Sequence, residues 1–181
     1  MSATPLIVTD PDPPGEPRPD EQLDTSLLES FLRKYLPESE GELSVLQFPG
    51  GRANLTYLIT FGDTEYVLRR PPLGPIAPSA HDMGRENRVL SRLYTQFDLA
   101  PRSFLYCEDE SLIGAPFQVM ERRHGIVIRE QLPAPFIGNE TAERHIGEML
   151  VDVMANLHLV DRKKAGLENL GRPQGFVERQ L

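Results

Sequence analysis

The sequence predicts an α+β fold, in which a five-stranded antiparallel sheet with one inserted helix is followed by a region made of helices. Two observations carry this prediction. Five short apolar segments bounded by turn residues lie between positions 43 and 121, and the apolar period becomes helical after Asn139. A chain of 181 residues can form one domain, or one small lobe and part of another.

The order of the predicted elements begins after an acidic, proline-rich start. Residues 1–22 have almost no apolar periodicity, so we expect a disordered tail. Folding is expected to begin near Asp24, because Ser26 and Glu29 have the spacing of a capping box at the start of an amphipathic helix. The segments that follow are strands at 43–48, 54–61, 65–70, 103–107 and 116–121, a second helix at 82–97, and a long helix from Asn139 to Val160.

Composition and charge narrow the functional class. The net charge of −8 disfavours nucleic-acid binding, which needs many Lys and Arg contacts with phosphate. No apolar run is long enough for a membrane span, and the start of the chain lacks the pattern of a signal peptide, so we expect a cytoplasmic protein. The single cysteine, Cys107, has apolar neighbours and is predicted to be a core residue.

A charged residue interrupts the apolar stripe of the second helix. Glu86 points in the same direction as Val89, Leu90 and Leu93, and an unpaired carboxylate there would be costly. The nearest predicted cations end the third strand, where Arg69 and Arg70 lie on opposite faces, so only one arginine is expected to point inward. We predict a pair between Arg69 and Glu86, which would serve either a ligand or the fold alone.

A glycine pair joins the first two predicted strands. Gly50 and Gly51 would let backbone N–H groups approach phosphate oxygens, although a plain turn explains the same residues. The loop has neither the Lys-Ser/Thr ending of a Walker loop nor the dinucleotide fingerprint.

Several motifs in order carry a family resemblance: GGRANLTYLI, YVLRRPP, SAHDMGRENRVLSRL, APFQVMERRHG and LHLVDRKKAGLENLGRPQGFVERQ. Together they resemble the aminoglycoside phosphotransferase family, whose fold is protein-kinase-like, and within it the branch found in or beside acyl-CoA dehydrogenase-type proteins. The resemblance implies a nucleotide-binding lobe at residues 23–123 and the start of an incomplete helical lobe at residues 124–181.

The resemblance also implies a set of site residues. Arg69, at a position where most kinases have lysine, would bridge the phosphates and Glu86, and Val67 would pack on the adenine. The loop over the phosphates and the hinge along the adenine edge would be Gly50, Gly51, Arg52, Ala53 and Asn54, and Met120, Glu121, Arg122 and Arg123.

The catalytic stretch of the family, with its aspartate base and metal ligands, has no counterpart in this sequence. His158 and Asp161 are expected only to end or cap the long helix, and the remaining histidines lack metal-ligand spacing. The resemblance therefore implies a phosphotransferase that moves the ATP γ-phosphate to a small-molecule hydroxyl, represented here by its nucleotide-binding part. Mg²⁺ is expected only in a full-length relative. A truncated, non-catalytic remnant and a scaffold on a kinase-like lobe stay open as alternatives, and self-association through the exposed helical-lobe surface is a further expectation.

Overall fold

The computed structural model of the chain describes residues 12–49, 54–72, 74, 81–128, 131–171, 174–175 and 177–178. Its elements run in the predicted order of helix, three strands, helix, two strands and long helix. They are α1 (Thr25–Tyr35), β1 (Leu43–Gln47), β2 (Leu55–Phe61), β3 (Thr64–Arg70), α2 (Met83–Leu93), β4 (Ser103–Cys107), β5 (Phe117–Glu121), a short 3-10 helix (Ala134–Phe136) and α3 (Glu140–His158).

The strands form one five-stranded sheet in the order β1-β2-β3-β5-β4, and every neighbouring pair is antiparallel. This confirms the predicted α+β class. Short connections join β1, β2 and β3 in series, as expected for antiparallel neighbours. The longer connection from β3 to β4 carries α2, which packs on β4 and β5.

Both faces of the sheet are covered, and we name each after the helix on it. The α1 face is a continuous apolar core, because Leu28 and Leu32 of α1 are fully buried together with strand residues. Its strand members include Tyr57, Ile59, Phe61, Tyr66, Leu68, Phe117 and Val119. The α2 face carries the alternate residues of the same strands, Val67, Arg69, Gln118 and Met120.

The first helix begins two residues earlier than the predicted capping box placed it. Asp24 is the N-cap, and its carboxylate accepts a hydrogen bond of 3.0 Å from the backbone N–H of Ser26. The predicted capping box is therefore wrong: Ser26 lies inside the first turn, and Glu29 forms an i,i+4 ion pair with Arg33 instead.

The second helix is shorter than the predicted 82–97. It ends at Leu93, after which Thr95 and Gln96 bond to carbonyls three residues back, and the Thr95 hydroxyl also donates to Arg92 O at 2.8 Å. Such side-chain bonds compete with helix continuation.

The expectation of a disordered tail is wrong for residues 15–22. Gly15 pairs with Gln47 of β1, and Arg18 N donates to the Gln47 side chain at 2.9 Å. The Tyr57 hydroxyl donates to Glu21 O at 2.7 Å, which ties the segment to the α1 face. Partial burial acts to raise the pKa of Glu21, but hydrogen bonds from Gln47 and Arg18 lower it overall.

The remaining elements agree with their predictions. Cys107 is buried in the core, and this burial raises the pKa of its thiol. Asn139 caps α3 by accepting from Ala142 N at 3.1 Å. In the part of the chain that the structure describes, α3 has no buried residue, and no helix is both long and apolar enough to cross a membrane.

Candidate functional site

A cleft opens between the α2 face of the sheet and α2 itself, with a cavity of about 600 Å³. Four of the residues predicted from the sequence line it, namely Asn54, Arg69, Glu86 and Met120. His81, Asp82, Met83, Arg85, Val89, Leu90, Pro101 and Leu170 complete the lining. Residues from three strand ends, the start of α2 and the segment after α3 therefore meet at one place.

The expected ion pair between Arg69 and Glu86 is present, because Arg69 Nη1 donates to Glu86 Oε1. Glu86 lies in the first turn of α2, whose N-cap Asp82 accepts from Arg85 N at 2.8 Å and so fixes the start of the helix. The two side chains keep 31% and 24% of their surface exposed. A pair this open contributes about 1 kcal/mol or less to stability. Its main consequence is to hold a guanidinium at the cleft wall.

Arg70 points to the opposite face and is more deeply buried than Arg69, with 1% of its surface exposed. Its guanidinium donates to Ile113 O at 2.6 Å and to the Tyr57 hydroxyl at 3.2 Å. The expectation that only one arginine points inward is thus wrong, because α1 and residues 15–22 cover the second face as well. Of the two neighbouring arginines, only Arg69 lines the cleft.

An apolar wall adjoins the arginine. Val67 and Met120 are Cα partners across β3 and β5, and they are 9% and 5% exposed. Because Val67 is two residues from Arg69 on the same strand face, the apolar wall and the cation lie side by side.

Apart from Met120, the side chains of the predicted hinge turn away from this cleft. Glu121 accepts from Arg102 N at 3.0 Å and pairs with Arg123 at 3.1 Å. Arg122 lies over the ring of Phe48, 4.8 Å from its centroid. Glu121 and Arg122 line a separate cavity, together with the first residues of β3. Any hinge function of residues 121–123 must therefore use their backbone atoms, as the sequence prediction supposed.

The glycine loop, Gly50 to Ala53, lies outside the described residues. Asn54, which follows it, is 9% exposed. Its Oδ1 accepts a 2.8 Å hydrogen bond from His81 Nδ1. His81 has a φ of 58°, which is uncommon for a residue other than glycine. Sequence reasoning weighed His81 only as a metal ligand. Its place directly before the N-cap Asp82 was the signal that could have put it at the cleft.

His158 is the last residue of α3, and Asp161 lies just beyond the helix. Asp161 Oδ1 accepts from Lys163 N at 2.9 Å and Lys164 N at 3.2 Å, so this carboxylate caps a turn. Within the described ranges, no group of three or more His, Cys, Asp or Glu residues is placed to hold a metal ion.

Comparison with known proteins adds a family to this geometry. Residues 44–181 match the family model described as the phosphotransferase enzyme family. The chain is also similar to a crystal structure from Ralstonia eutropha classed as an aminoglycoside phosphotransferase. The two share 32% sequence identity with a TM-score of 0.69, over 88% of this chain and 45% of the other.

Curated relatives are larger than this chain. Acyl-CoA dehydrogenase family member 11 of Gallus gallus is 35% identical over 171 residues, which are 92% of this chain and 22% of the relative. Acyl-CoA dehydrogenase family member 10 of Mus musculus is 35% identical over 157 residues, 85% of this chain and 14% of the relative. The chain thus spans about a fifth or less of the length of these two relatives.

Proposed function

Because the chain belongs to the phosphotransferase enzyme family, we propose that it forms the nucleotide-binding part of a kinase that transfers the ATP γ-phosphate to a small-molecule hydroxyl. The observation that carries the proposal is the juxtaposition of the Arg69–Glu86 pair with the apolar wall of Val67 and Met120. A nucleoside triphosphate needs this combination of an apolar surface for its base and a cation for its phosphates.

Arg69 is the phosphate-binding group in this proposal. A guanidinium offers planar, bidentate hydrogen bonds to phosphate oxygens, which a lysine ammonium does not. Glu86 orients it, because the carboxylate accepts a hydrogen bond from Arg69 Nη1. The loop amides of Gly50, Gly51, Arg52 and Ala53, with Asn54 beside them, would cover the phosphates from above.

The adenine base would lie against Val67 and Met120. Backbone groups of Arg122 and Arg123, with the C=O of Glu121, would bond its edge, since their side chains are engaged elsewhere and the Glu121 N–H donates to Arg102 O at 2.8 Å. Mg²⁺, when bound, would neutralise the triphosphate charge, and in kinases its ligands come from the helical lobe. The described part of this chain offers no such cluster, so nucleotide binding without phosphoryl transfer is the second candidate for the 181-residue chain alone.

Calorimetric titration with ATP tests the proposal. We expect binding with a dissociation constant near the millimolar range, about 4 kcal/mol, because the contacts made through Mg²⁺ are missing. An assay with ATP and a panel of hydroxyl acceptors should show no transfer by this chain alone. No ATP binding at any concentration would favour the scaffold, and metal-dependent turnover would show that the catalytic residues lie within these 181 positions.

A further inference from the structure

Gln118 is a fully buried polar residue in the middle of β5. Its side chain has no exposed surface, and neither its amide nitrogen nor its amide oxygen has a hydrogen-bond partner within the described ranges. Leaving a buried donor or acceptor without a hydrogen bond costs about 1–3 kcal/mol, and native proteins bury few such groups. A methionine of similar shape would avoid this cost, so the amide requires an explanation.

The register of the sheet locates this amide beside the candidate site. Gln118 is the Cα partner of Arg69 on β3 and of Tyr106 on β4. Side chains that face each other in this way have Cβ atoms about 5 Å apart. Met120, two residues further along the same strand face, lines the cleft. Gln118 therefore lies under α2, directly behind the Arg69–Glu86 pair.

We propose that Gln118 is a positioning residue for Arg69 in nucleotide binding, an inference that rests on the function proposed above. Phosphate binds the cleft side of the Arg69 guanidinium, and the Arg69–Glu86 pair shifts toward the sheet. The amide of Gln118 then makes the bonds that it lacks in the free protein: its oxygen accepts from the guanidinium and its NH₂ group donates to the carboxylate. An amide suits this position because it carries both a donor and an acceptor and adds no charge.

The substitution Gln118→Met separates this function from a structural one, because the two predict opposite changes in stability. Methionine keeps the length of the side chain and removes both unpaired atoms. We expect the midpoint of urea unfolding to rise, while the dissociation constant for ATP increases about three- to tenfold. A residue that merely supports the fold would lower the midpoint when replaced.

Gln47 provides the matched control. It is also a buried glutamine, 5% exposed, but its amide is satisfied, since it donates to Glu21 and accepts from Arg18 N. Gln47→Met should therefore lower the unfolding midpoint and leave ATP affinity unchanged.

Three outcomes would overturn the inference. The inference requires that Gln118→Met does not destabilise the fold, so a lowered unfolding midpoint counts against it. If Gln118→Met binds ATP as tightly as the wild type, Gln118 is not a positioning residue, while the proposed nucleotide binding stands. If the wild-type chain does not bind ATP, the proposed function and this inference both fail. That failure is distinct from a failure of the inference alone, because it is seen in the wild-type titration without any variant.

Discussion

Replacing Arg69 with alanine should abolish measurable ATP binding and leave the protein folded. The guanidinium is the cation that meets the phosphates in our account, and one charge-assisted hydrogen-bonding group contributes about 1.5–3 kcal/mol, or roughly 10- to 100-fold in affinity. Because the wild-type dissociation constant is expected near the millimolar range, binding by Arg69→Ala should be too weak to measure by calorimetry. The free energy of unfolding should fall by about 1 kcal/mol or less, because the Arg69–Glu86 pair is partly exposed.

Two variants control this experiment. Arg69→Lys retains the charge without the planar fork, and should bind ATP more weakly than the wild type but better than Arg69→Ala. Arg92→Ala removes an arginine of α2 that bonds Gly166 O outside the cleft, and should bind ATP like the wild type. If Arg69→Ala and Arg92→Ala bind ATP equally well, the phosphates do not lie on Arg69.

Replacing the neighbouring Arg70 with alanine should have the opposite profile, a large loss of stability. Arg70 is 1% exposed and its guanidinium satisfies Ile113 O and the Tyr57 hydroxyl. Truncation leaves a cavity and at least one unpaired buried acceptor, which together cost about 3–5 kcal/mol. The free energy of unfolding of most domains is only about 5–15 kcal/mol in total. Urea unfolding followed by circular dichroism measures this loss.

The variant Arg70→Met distinguishes the two sources of that loss. Methionine refills most of the volume and should recover part of the stability, while the Ile113 carbonyl stays unpaired. A wild-type unfolding midpoint for Arg70→Ala would contradict the burial of this guanidinium.

The sequence predicted the cleft because the signals for it are local. Strand alternation alone places Val67 and Arg69 on one face, and helical periodicity alone places Glu86 toward the sheet. These two patterns each extend over only a few residues, but together they predicted an ion pair between residues 17 positions apart.

The burial of Arg70 and the contacts of residues 15–22 with the sheet were not predictable in the same way. Alternation shows that Arg69 and Arg70 point to opposite faces but carries no information on whether both faces are covered. The proline-rich start has the composition of a disordered tail, yet it packs against Gln47 and Tyr57, which lie 26 to 36 positions from Glu21. Such contacts depend on the assembled sheet.

Methyl resonances provide the most direct test that ATP binds on the α2 face of the sheet. Val67 and Met120 lie on that face. Val119 is next to Met120 in β5 but lies on the α1 face, and Met154 is exposed on α3. On titration with ATP, we predict that the methyl signals of Val67 and Met120 shift in a saturable manner, and that those of Val119 and Met154 move far less. Saturable shifts at Val119 or Met154, with Val67 and Met120 unmoved, would contradict the account.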